Sequence, residues 1–345
     1  MSTVLMTGST ASRSTIHDAC GGANPMRRVV VTGAAGFIGG HLVERLVRAG
    51  VLVIGVDRRD PDRDVAAAAN VEAVRAAPNF VFVPADLAHC AVESLVLDAD
   101  VVFHLAGVPG VRPSWGPGFA EYAESNIVAT QRLMEAAVRL KVPRVVLASS
   151  SSVYGRTGGG ASPETAATAP LSPYGVSKLA AETLCLAYAR RSDSATRVSA
   201  LRYFTVYGPR QRPDMLIGRV LSAALGGPPV RLFGAGDQRR DFTFVDDAVA
   251  ATLTAATVPA SGVFNIGGGR AASVADVVRI AEDITGTRIP TRPVAARDGD
   301  VPATLADPTR AREELGWQPR VNLVKGMTRH WQWLNAEVGH DEAAS

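Results

Sequence analysis

A βαβ unit near the start of the chain constrains the fold more than any other feature. The stretch RRVVVTGAAGFIGGHLVERLVRAGVLVIGVDRR, residues 27–59, contains an apolar strand, a glycine-rich turn, an amphipathic helix and a second strand. Gly33, Gly36 and Gly39 lie where the first strand passes into the helix. Glycines there allow a pyrophosphate to approach free N–H groups at the positive end of the helix dipole. The unit therefore predicts a dinucleotide-binding turn.

Asp57 ends the second strand of this unit. A carboxylate placed about 20 residues beyond the glycine turn binds the adenosine ribose diol in dinucleotide-binding folds. The alternative is an ordinary solvated acid at a strand end. Arg58 follows and would suit a 2′-phosphate, but a carboxylate in the ribose position repels that group. The pattern favours NAD over NADP.

Strand-like and helical segments then alternate along the chain. Apolar runs in NFVFVPADL, VVFHLAG, RVVLASSSSVYG and RVSALRYF are separated by helical patterns such as ESNIVATQRLMEAAVRL. This alternation predicts an α/β fold with a doubly wound parallel sheet of the Rossmann type. Ligand chemistry in such a fold lies at the carboxyl ends of the strands.

Charge and cysteine content exclude several function classes. A net charge of +3 over 345 residues does not favour nucleic acid as a partner. Cys20, Cys90 and Cys185 are odd in number and lack metal or disulfide spacing, so we expect no metal and a cytoplasmic location. Because no apolar run approaches the ~20 residues of a membrane span, we expect no membrane partner.

The chain holds three lysines and 33 arginines, and one lysine occupies a distinctive position. Ser172 and Pro173 predict a helix start, which places Tyr174 and Lys178 one turn apart on one helix face. Lysine is a compact charge that fits beside a phenol and a ligand, whereas arginine presents a wide fork. The alternative is a helix in which the two residues are merely neighbours. His104 lies inside an apolar strand and is interpreted as a core histidine rather than a catalyst.

Several motifs in this order resemble those of the extended short-chain dehydrogenase/reductases, and later ones resemble their nucleotide-sugar epimerase and dehydratase branch. The resemblance runs from about residue 27 to residue 334. The motifs that carry it are Gly-x-x-Gly-x-x-Gly from Gly33, HLAG from His104, SSVYG ending at Gly155, Tyr174-x-x-x-Lys178, RYFTVYGPRQRPDM, RRDFTFVDD, NIGGG and RDGDVPATLAD.

The resemblance implies a domain organisation and a partner. We expect a disordered tail at 1–25, an NAD-binding domain at 26–204 with a returning segment near 241–266, and a smaller C-terminal α/β lobe for a nucleotide sugar at 205–240 and 267–338. By analogy with the family, helices around 125–140 and 173–191 form the contact of a homodimer.

The same resemblance implies a catalytic trio of Ser150, Tyr174 and Lys178. Ser150 lies four residues before Tyr154 of the VYG motif, although the adjacent serines leave its register open by one. Tyr174 would act as the base on a sugar hydroxyl while NAD accepts hydrogen from the same carbon. Lowering its pKa from about 10 to near 7 takes ~4 kcal/mol; one ammonium ~4 Å away supplies about that much at an effective dielectric near 20, and the positive nicotinamide ring adds to it.

Further residues are expected to contact the cofactor. For Asp86 and Asn126, loop capping is an equal alternative. The residues expected to bind NAD are Gly33, Gly36, Phe37, Ile38, Gly39, Asp57, Arg58, Asp86, Leu87, Leu105, Ala106, Gly107, Asn126, Ser149, Tyr174, Lys178, Tyr203 and Val206.

The segment YFTVYGPRQRPDM resembles the UDP-glucuronate 4-epimerases, because Thr205 stands where many relatives have asparagine and Arg212 follows seven positions later. A second cation suits a sugar that bears a carboxylate. The alternative is that Arg212 pairs with Asp214 or contacts solvent. The residues expected to bind a UDP-sugar are Arg112, Ser151, Ser152, Thr205, Arg212, Val230, Leu232, Phe233, Arg240, Arg297 and Asp300.

Ser151 and Ser152 discriminate among sister activities. The 4,6-dehydratases carry Asp-Glu at these positions and the decarboxylases a Glu, so the two serines disfavour both reactions. We expect NAD-dependent conversion of UDP-glucuronate to UDP-galacturonate through a 4-keto intermediate. The alternatives are a UDP-glucose or UDP-N-acetylhexosamine 4-epimerase, then a UDP-glucuronate decarboxylase or a non-catalytic NAD-binding regulator.

Overall fold

The computed structural model describes residues 26–294 and 301–344, with side chains as far as residue 337. The expected tail at 1–25 and two predicted substrate residues, Arg297 and Asp300, lie outside the described residues. The strands are β1 Arg28–Thr32, β2 Leu52–Asp57, β3 Phe80–Pro84, β4 Val101–His104, β5 Arg144–Ser150, β6 Arg197–Tyr203, β7 Thr205–Tyr207, β8 Val230–Phe233, β9 Arg239–Phe244, β10 Gly262–Ile266, β11 Ala271–Ser273 and β12 Thr291–Val294.

Seven strands form one parallel sheet in the order β3-β2-β1-β4-β5-β6-β10. Val29, Val30 and Val31 of β1 are fully buried, because helices cover both faces of a parallel sheet. The strand order reverses between β1 and β4, and this switch point leaves a crevice at the carboxyl ends of the strands. The predicted doubly wound α/β fold is confirmed.

Helices connect the strands. They are α1 Phe37–Arg48, α2 Val65–Val71, α3 Val92–Val96, α4 Phe119–Tyr122, α5 Ala129–Arg139, α6 Pro173–Ala189, α7 Leu216–Ala224, α8 Val245–Thr257, α9 Val274–Thr285, α10 Thr309–Leu315 and α11 Leu323–Ala344. A π-helical turn, Ala123–Val128, joins α4 to α5. One apolar core packs α3, α5 and α6 against the sheet, and a second core lies beneath α1, α2 and α8.

The remaining strands form two small sheets. β7 pairs with β9 and β9 with β11, while β8 pairs with β12. Helix α11 packs against α7 and α9 beside them. β10 lies at the edge of the large sheet beside β6, after the chain has passed through β7, β8 and β9. The domain limits at 204, 240 and 266 stay a prediction.

Candidate active site

A cavity of about 930 Å³ opens at the carboxyl ends of the central strands. It receives side chains from the glycine turn, from the ends of β2, β4, β5 and β6, and from the segment after β7. The predicted residues that line it are Gly33, Gly36, Phe37, Ile38, Gly39, Asp57, Arg58, Asp86, Leu87, Leu105, Ala106, Gly107, Ser149, Ser150, Ser151, Ser152, Tyr174, Lys178, Tyr203, Thr205, Val206, Arg212 and Arg240. The fold thus gathers residues that are far apart in the sequence.

The glycine turn requires glycine on steric grounds. Gly33 has a φ of +71°, and a Cβ there would lie 2.7 Å from the backbone nitrogen of Ala106. A Cβ on Gly39 would lie 1.9 Å from the carbonyl oxygen of Gly33. Gly36 caps α1 without a side chain, so it supplies none that would cover the first N–H groups of the helix. This cradle fits a pyrophosphate.

Asp57 is nine-tenths buried at the cavity edge. Its Oδ2 accepts from the backbone N–H of Ala35 at 3.1 Å and its Oδ1 from that of Arg59 at 3.0 Å. Burial raises the pKa of Asp57, and these N–H groups oppose the rise. Arg58 forms an ion pair with Glu121, and the nearby charges of Arg59 and then Arg58 also oppose the rise in the pKa of Asp57. The position suits an acceptor for a ribose diol.

Asp86 and Asn126 both hold loops, and only Asp86 lines the cavity. Oδ1 of Asp86 accepts from the backbone N–H of Ala88 at 2.9 Å. Asn126, on the π-helical turn, accepts from the N–H of Val108 at 2.7 Å and donates to the hydroxyl of Ser177 at 2.9 Å. Asn126 therefore ties the loop after β4 to the helix that carries Lys178.

Ser150, Tyr174 and Lys178 meet at one wall of the cavity. The hydroxyl of Ser150 accepts from the N–H of Ser152 at 3.2 Å and lies near enough to the phenol to lower the pKa of Tyr174. The choice of Ser150 over a neighbouring serine stays a prediction. The hydroxyl of Ser172 accepts from the N–H of Gly175 at 3.1 Å and starts α6 as predicted. Lys178 is buried one turn later, and a Cβ on Gly107 would lie 3.9 Å from its Nζ. The wall can transfer a proton at a hydroxyl placed beside Tyr174.

In the polypeptide without NAD, the pKa of Tyr174 shifts in the direction opposite to the one expected for the catalytic complex. Burial raises the pKa of Tyr174, and the groups that oppose this rise are Ser150, through its hydrogen bond, and Arg212, through its charge. Burial also lowers the pKa of Lys178 to about 8. Desolvation outweighs both of these opposing influences, so the phenol is the resting form of the polypeptide.

Behind this wall lies a buried ion pair that sequence reasoning missed. Nη2 of Arg202 lies 2.6 Å from Oε1 of Glu182, and Nε lies 3.0 Å from Oε2. The hydroxyl of Ser149 donates to the same carboxylate at 2.6 Å. Ser149 lines the cavity, but its hydroxyl serves Glu182. The charge of Glu182 also opposes the lowering of the pKa of Lys178.

His104 is a core residue, as predicted. It is fully buried, with Nδ1 2.8 Å from the hydroxyl of Thr32 and Nε2 2.9 Å from that of Thr130. Because Thr130 donates its own proton to the carbonyl of Asn126, Nε2 of His104 must be the donor. Burial lowers the pKa of His104 to about 3, so the ring is neutral.

Arg212 lies at the cavity wall with Thr205, Ser151 and Ser152. Its guanidinium pairs with Asp214: Nε donates to Oδ1 and Nη2 to Oδ2, both at 2.9 Å. The alternative weighed for Arg212 is therefore present in the structure. The pair does not remove Arg212 from the cavity wall.

The predicted uracil pocket is not part of this cavity. Val230 is buried in the core, and Leu232 packs against it. The guanidinium of Arg112 lies over the ring of Phe233, 4.9 Å from its centroid. Val230, Leu232, Phe233 and Arg112 lie outside the cavity lining, so their roles toward a nucleotide stay predictions.

Other cavity residues were not predicted. Among them, from the segment that carries Arg212, the chain that follows residue 300 and α11, are Arg210, Gln211, Met215, Val301, Thr304, Trp333 and Glu337. Gln211 and Met215 belong to a motif that was already singled out. Trp333 carries no local signal, because the packing of α11 against α7, α9 and β9 brings it there.

Comparisons with known proteins agree with this geometry. Residues 29–267 match the NAD dependent epimerase/dehydratase family. An uncharacterized UDP-glucose epimerase of Bacillus subtilis, YtcB, is 40% identical over 90% of this chain and 98% of its own. MoeE5, solved with UDP-glucuronic acid and NAD, is 46% identical with a TM-score of 0.83, covering 90% of this chain and 99% of that one.

A third relative is the UDP-glucuronic acid 4-epimerase of Bacillus cereus in complex with UDP-glucuronic acid and NAD. It is 38% identical with a TM-score of 0.85, over 90% of this chain and 99% of that chain. Among the described residues no helix is both long and apolar enough to cross a membrane. In that part of the chain, too, no three histidine, cysteine or acidic side chains are placed to hold a metal ion.

Proposed function

This chain belongs to the NAD dependent epimerase/dehydratase family, and from that premise we propose that it converts UDP-glucuronate to UDP-galacturonate. It is an NAD-dependent nucleotide-sugar 4-epimerase. The observation that supports the choice of sugar is that Arg212, Thr205, Ser151 and Ser152 line the same cavity as Tyr174.

The proposed cofactor contacts follow from the cradle. The N–H groups after Gly36 would hold the pyrophosphate, and Asp57 would accept from the ribose diol. When bound, NAD+ supplies the acceptor and later the donor of the hydrogen on the sugar carbon, and its positive ring favours the phenolate of Tyr174.

The proposed proton path uses Tyr174 and Ser150. Tyr174 takes the proton of the C4 hydroxyl and returns it after the keto ring has turned over. Ser150, which lowers the pKa of Tyr174, would donate a hydrogen bond to the oxygen that carries the negative charge at each stage. Lys178 is buried one turn along α6 and keeps a positive charge near this pair at neutral pH.

The carboxylate of the substrate must be held during the keto stage. A 4-keto uronic acid is a β-keto acid, which loses CO2 when its carboxylate stands perpendicular to the carbonyl plane. We propose that Arg212 binds this carboxylate with two hydrogen bonds while Thr205, Ser151 and Ser152 hold it near the plane. Ser151 and Ser152 offer no carboxylic acid for dehydration or decarboxylation.

The nucleotide end is assigned by resemblance. Arg240 lines the cavity and is proposed to bind the diphosphate, for which a planar guanidinium is well suited. Arg297 and Asp300 are proposed to complete the nucleotide site, and Val230, Leu232 and Phe233 to face the uracil, with Arg112 near the sugar.

UDP-glucose is the second candidate substrate. The pairing of Arg212 with Asp214 favours it, because a cation already neutralised by the chain has less attraction for a carboxylate. Incubating the protein separately with UDP-glucuronate and UDP-glucose, and following products by NMR, tests the choice. We expect UDP-galacturonate from the first; CO2 or a UDP-pentose would refute the proposed role of the wall.

Replacing Arg212 by Ala tests the assignment at residue level. We expect kcat/KM for UDP-glucuronate to fall by about 10²-fold or more, as for loss of a hydrogen bond between charged groups in a site, and that for UDP-glucose to change little. Arg191→Ala is the matched control, because Arg191 pairs with Asp193 through the same two guanidinium nitrogens and lies outside the cavity lining. Equal losses for both sugars would refute the assignment.

We propose that the protein is a homodimer. Trp115, Phe119, Val128 and Val176 are exposed large apolar side chains on or beside α4, α5 and α6. Such a patch is typical of a protein interface. Val176→Asp should convert a dimer to a monomer in light scattering, whereas a wild-type monomer would contradict the proposal.

The free thiols of Cys90 and Cys185 suit the reducing cytoplasm that we propose as the location of the protein.

A further inference from the structure

Asp214, the ion-pair partner of Arg212, lies where it can affect the choice of substrate. Arg212, Pro213 and Met215 line the cavity, but Asp214 is not among the described residues that line it. Asp214 nevertheless occupies the Nε edge of the guanidinium with both carboxylate oxygens. The chain thus places its own carboxylate on the arginine proposed to bind the carboxylate of the substrate.

The backbone around Arg212 is held firmly. The N–H of Gln211 donates to the carbonyl of Gly208 at 3.1 Å, and its side-chain amide donates to the carbonyl of Val206 at 3.0 Å. The N–H of Met215 donates to the carbonyl of Arg212 at 3.1 Å. Exchange between two carboxylates therefore requires movement of the Arg212 side chain and not of the segment.

We propose that Asp214 is an internal competitor for the carboxylate of the substrate and sets how strongly the enzyme prefers a uronate to a neutral UDP-hexose. This inference rests on the proposed function. One edge of a guanidinium binds one carboxylate with two hydrogen bonds, so Asp214 and a uronate exclude each other there. A neutral hexose carries no such group and leaves the pair intact.

The exposure of the pair makes the exchange possible. The side chain of Arg212 is 36% exposed and that of Asp214 is 66% exposed. Exposed pairs of this kind stabilise proteins weakly, so a substrate carboxylate displaces Asp214 at little cost. Hydrogen bonds from Arg212 lower the pKa of Asp214, which therefore stays ionised at neutral pH and competes as a full charge.

The test is Asp214→Asn, which keeps the shape and removes the charge. Calorimetric titration of NAD-loaded protein, in a Tyr174→Phe background that stops turnover, measures the Kd of UDP-glucuronate and of UDP-glucose. We expect the Kd of UDP-glucuronate to fall about two- to fivefold and that of UDP-glucose to stay the same.

The chain offers a closely matched control. Asp193 pairs with Arg191, two positions before it, through Nε to Oδ1 at 3.0 Å and Nη2 to Oδ2 at 2.8 Å. Neither residue lines the cavity. Asp193→Asn makes the same change in net charge and should alter neither Kd.

Several results would overturn the proposal. They are an unchanged or higher Kd of UDP-glucuronate in Asp214→Asn, equal tightening of both sugars, or the same effect in Asp193→Asn. Turnover of UDP-glucuronate by the wild-type protein is measured separately. If turnover is absent while Asp214→Asn still tightens the binding of UDP-glucuronate, the proposed function is refuted, and the proposal that Asp214 competes for Arg212 is supported. If turnover is present while Asp214→Asn leaves the Kd of UDP-glucuronate unchanged, the proposal that Asp214 competes for Arg212 is refuted, and the proposed function is supported.

Discussion

Replacing Glu182 by Gln should destabilise the fold strongly and lower the pKa of Lys178 in the proposed active site. Glu182 and Arg202 form a bidentate pair whose side chains are 3% and 5% exposed. The substitution leaves the guanidinium buried without a counter-charge, because the new amide oxygen, the ring of Tyr154 4.7 Å away and the carbonyl of Glu164 are all neutral partners. Removing one partner of a buried pair costs about 3–5 kcal/mol.

Calorimetry gives the direct measurement. For a chain of this size one kcal/mol moves Tm by roughly 1.5 °C, so we expect a fall of about 5–7 °C. The second readout is the pH profile of turnover. Because Glu182 opposes the lowering of the pKa of Lys178, its loss should lower that pKa further and move the alkaline limb to lower pH.

Glu314→Gln is the control for this prediction. Glu314 pairs with Arg310 on α10 at 2.8 Å, but both side chains are at least one-third exposed, so we expect a loss of about 1 kcal/mol or less. If Glu182→Gln lowers Tm no more than Glu314→Gln does, the reasoning from burial is refuted. Replacing Glu182 and Arg202 together by Met should recover much of the lost stability.

Three further predictions test the cradle, the base and the core. Gly33→Ala should abolish retention of NAD on gel filtration, because its Cβ would lie 2.7 Å from the backbone of Ala106 in a left-handed conformation; a cofactor-bound variant would contradict this. Tyr174→Phe should lower kcat by 10²-fold or more, roughly the contribution of a positioned acid–base group, and leave NAD bound; near-normal turnover would remove Tyr174 from the mechanism. His104 has a folded-state pKa of about 3, below its ordinary 6.5, so its contribution to stability is complete above pH 6.5 and declines as the pH falls toward 3. By pH 4.5 the loss is about 3 kcal/mol at 1.36 kcal/mol per pH unit. His104→Gln should show a shallower decline between pH 6.5 and 4.5 in urea titrations, and an identical decline would refute the assignment.

The large sheet was predictable because its signals are local. β1, α1 and β2 follow one another within 30 residues, and each has its own hydrophobic period. The small sheets were not predictable in this way. β7 and β11 have three residues each, and both pair with β9, which is more than 25 residues from either in the sequence. Short segments carry too few residues to show a period, so their pairing depends on tertiary packing.

In the proposed active site, too, the features set by local sequence were predictable and those set by tertiary packing were not. Ser150, Tyr174 and Lys178 lie in motifs whose local geometry places them, at a strand end and on one helix face. The charge state of Tyr174 was not predictable, because burial depends on every element that packs around the cavity. The partner of Ser149 shows the same limit: its hydroxyl donates to Glu182, 33 residues away in the sequence, and no spacing rule indicates that contact.

Arg212 connects the choice of substrate to the proton chemistry. Its charge is one of the two influences that lower the pKa of Tyr174, and the other is the hydrogen bond from Ser150. In our proposals Arg212 pairs with the carboxylate of Asp214 in the free enzyme and with the carboxylate of UDP-glucuronate in the complex. Its field at the phenol is therefore partly cancelled in both, because a paired charge acts weakly at a distance. Of these two influences, that of Ser150 is the one that does not depend on which carboxylate faces Arg212.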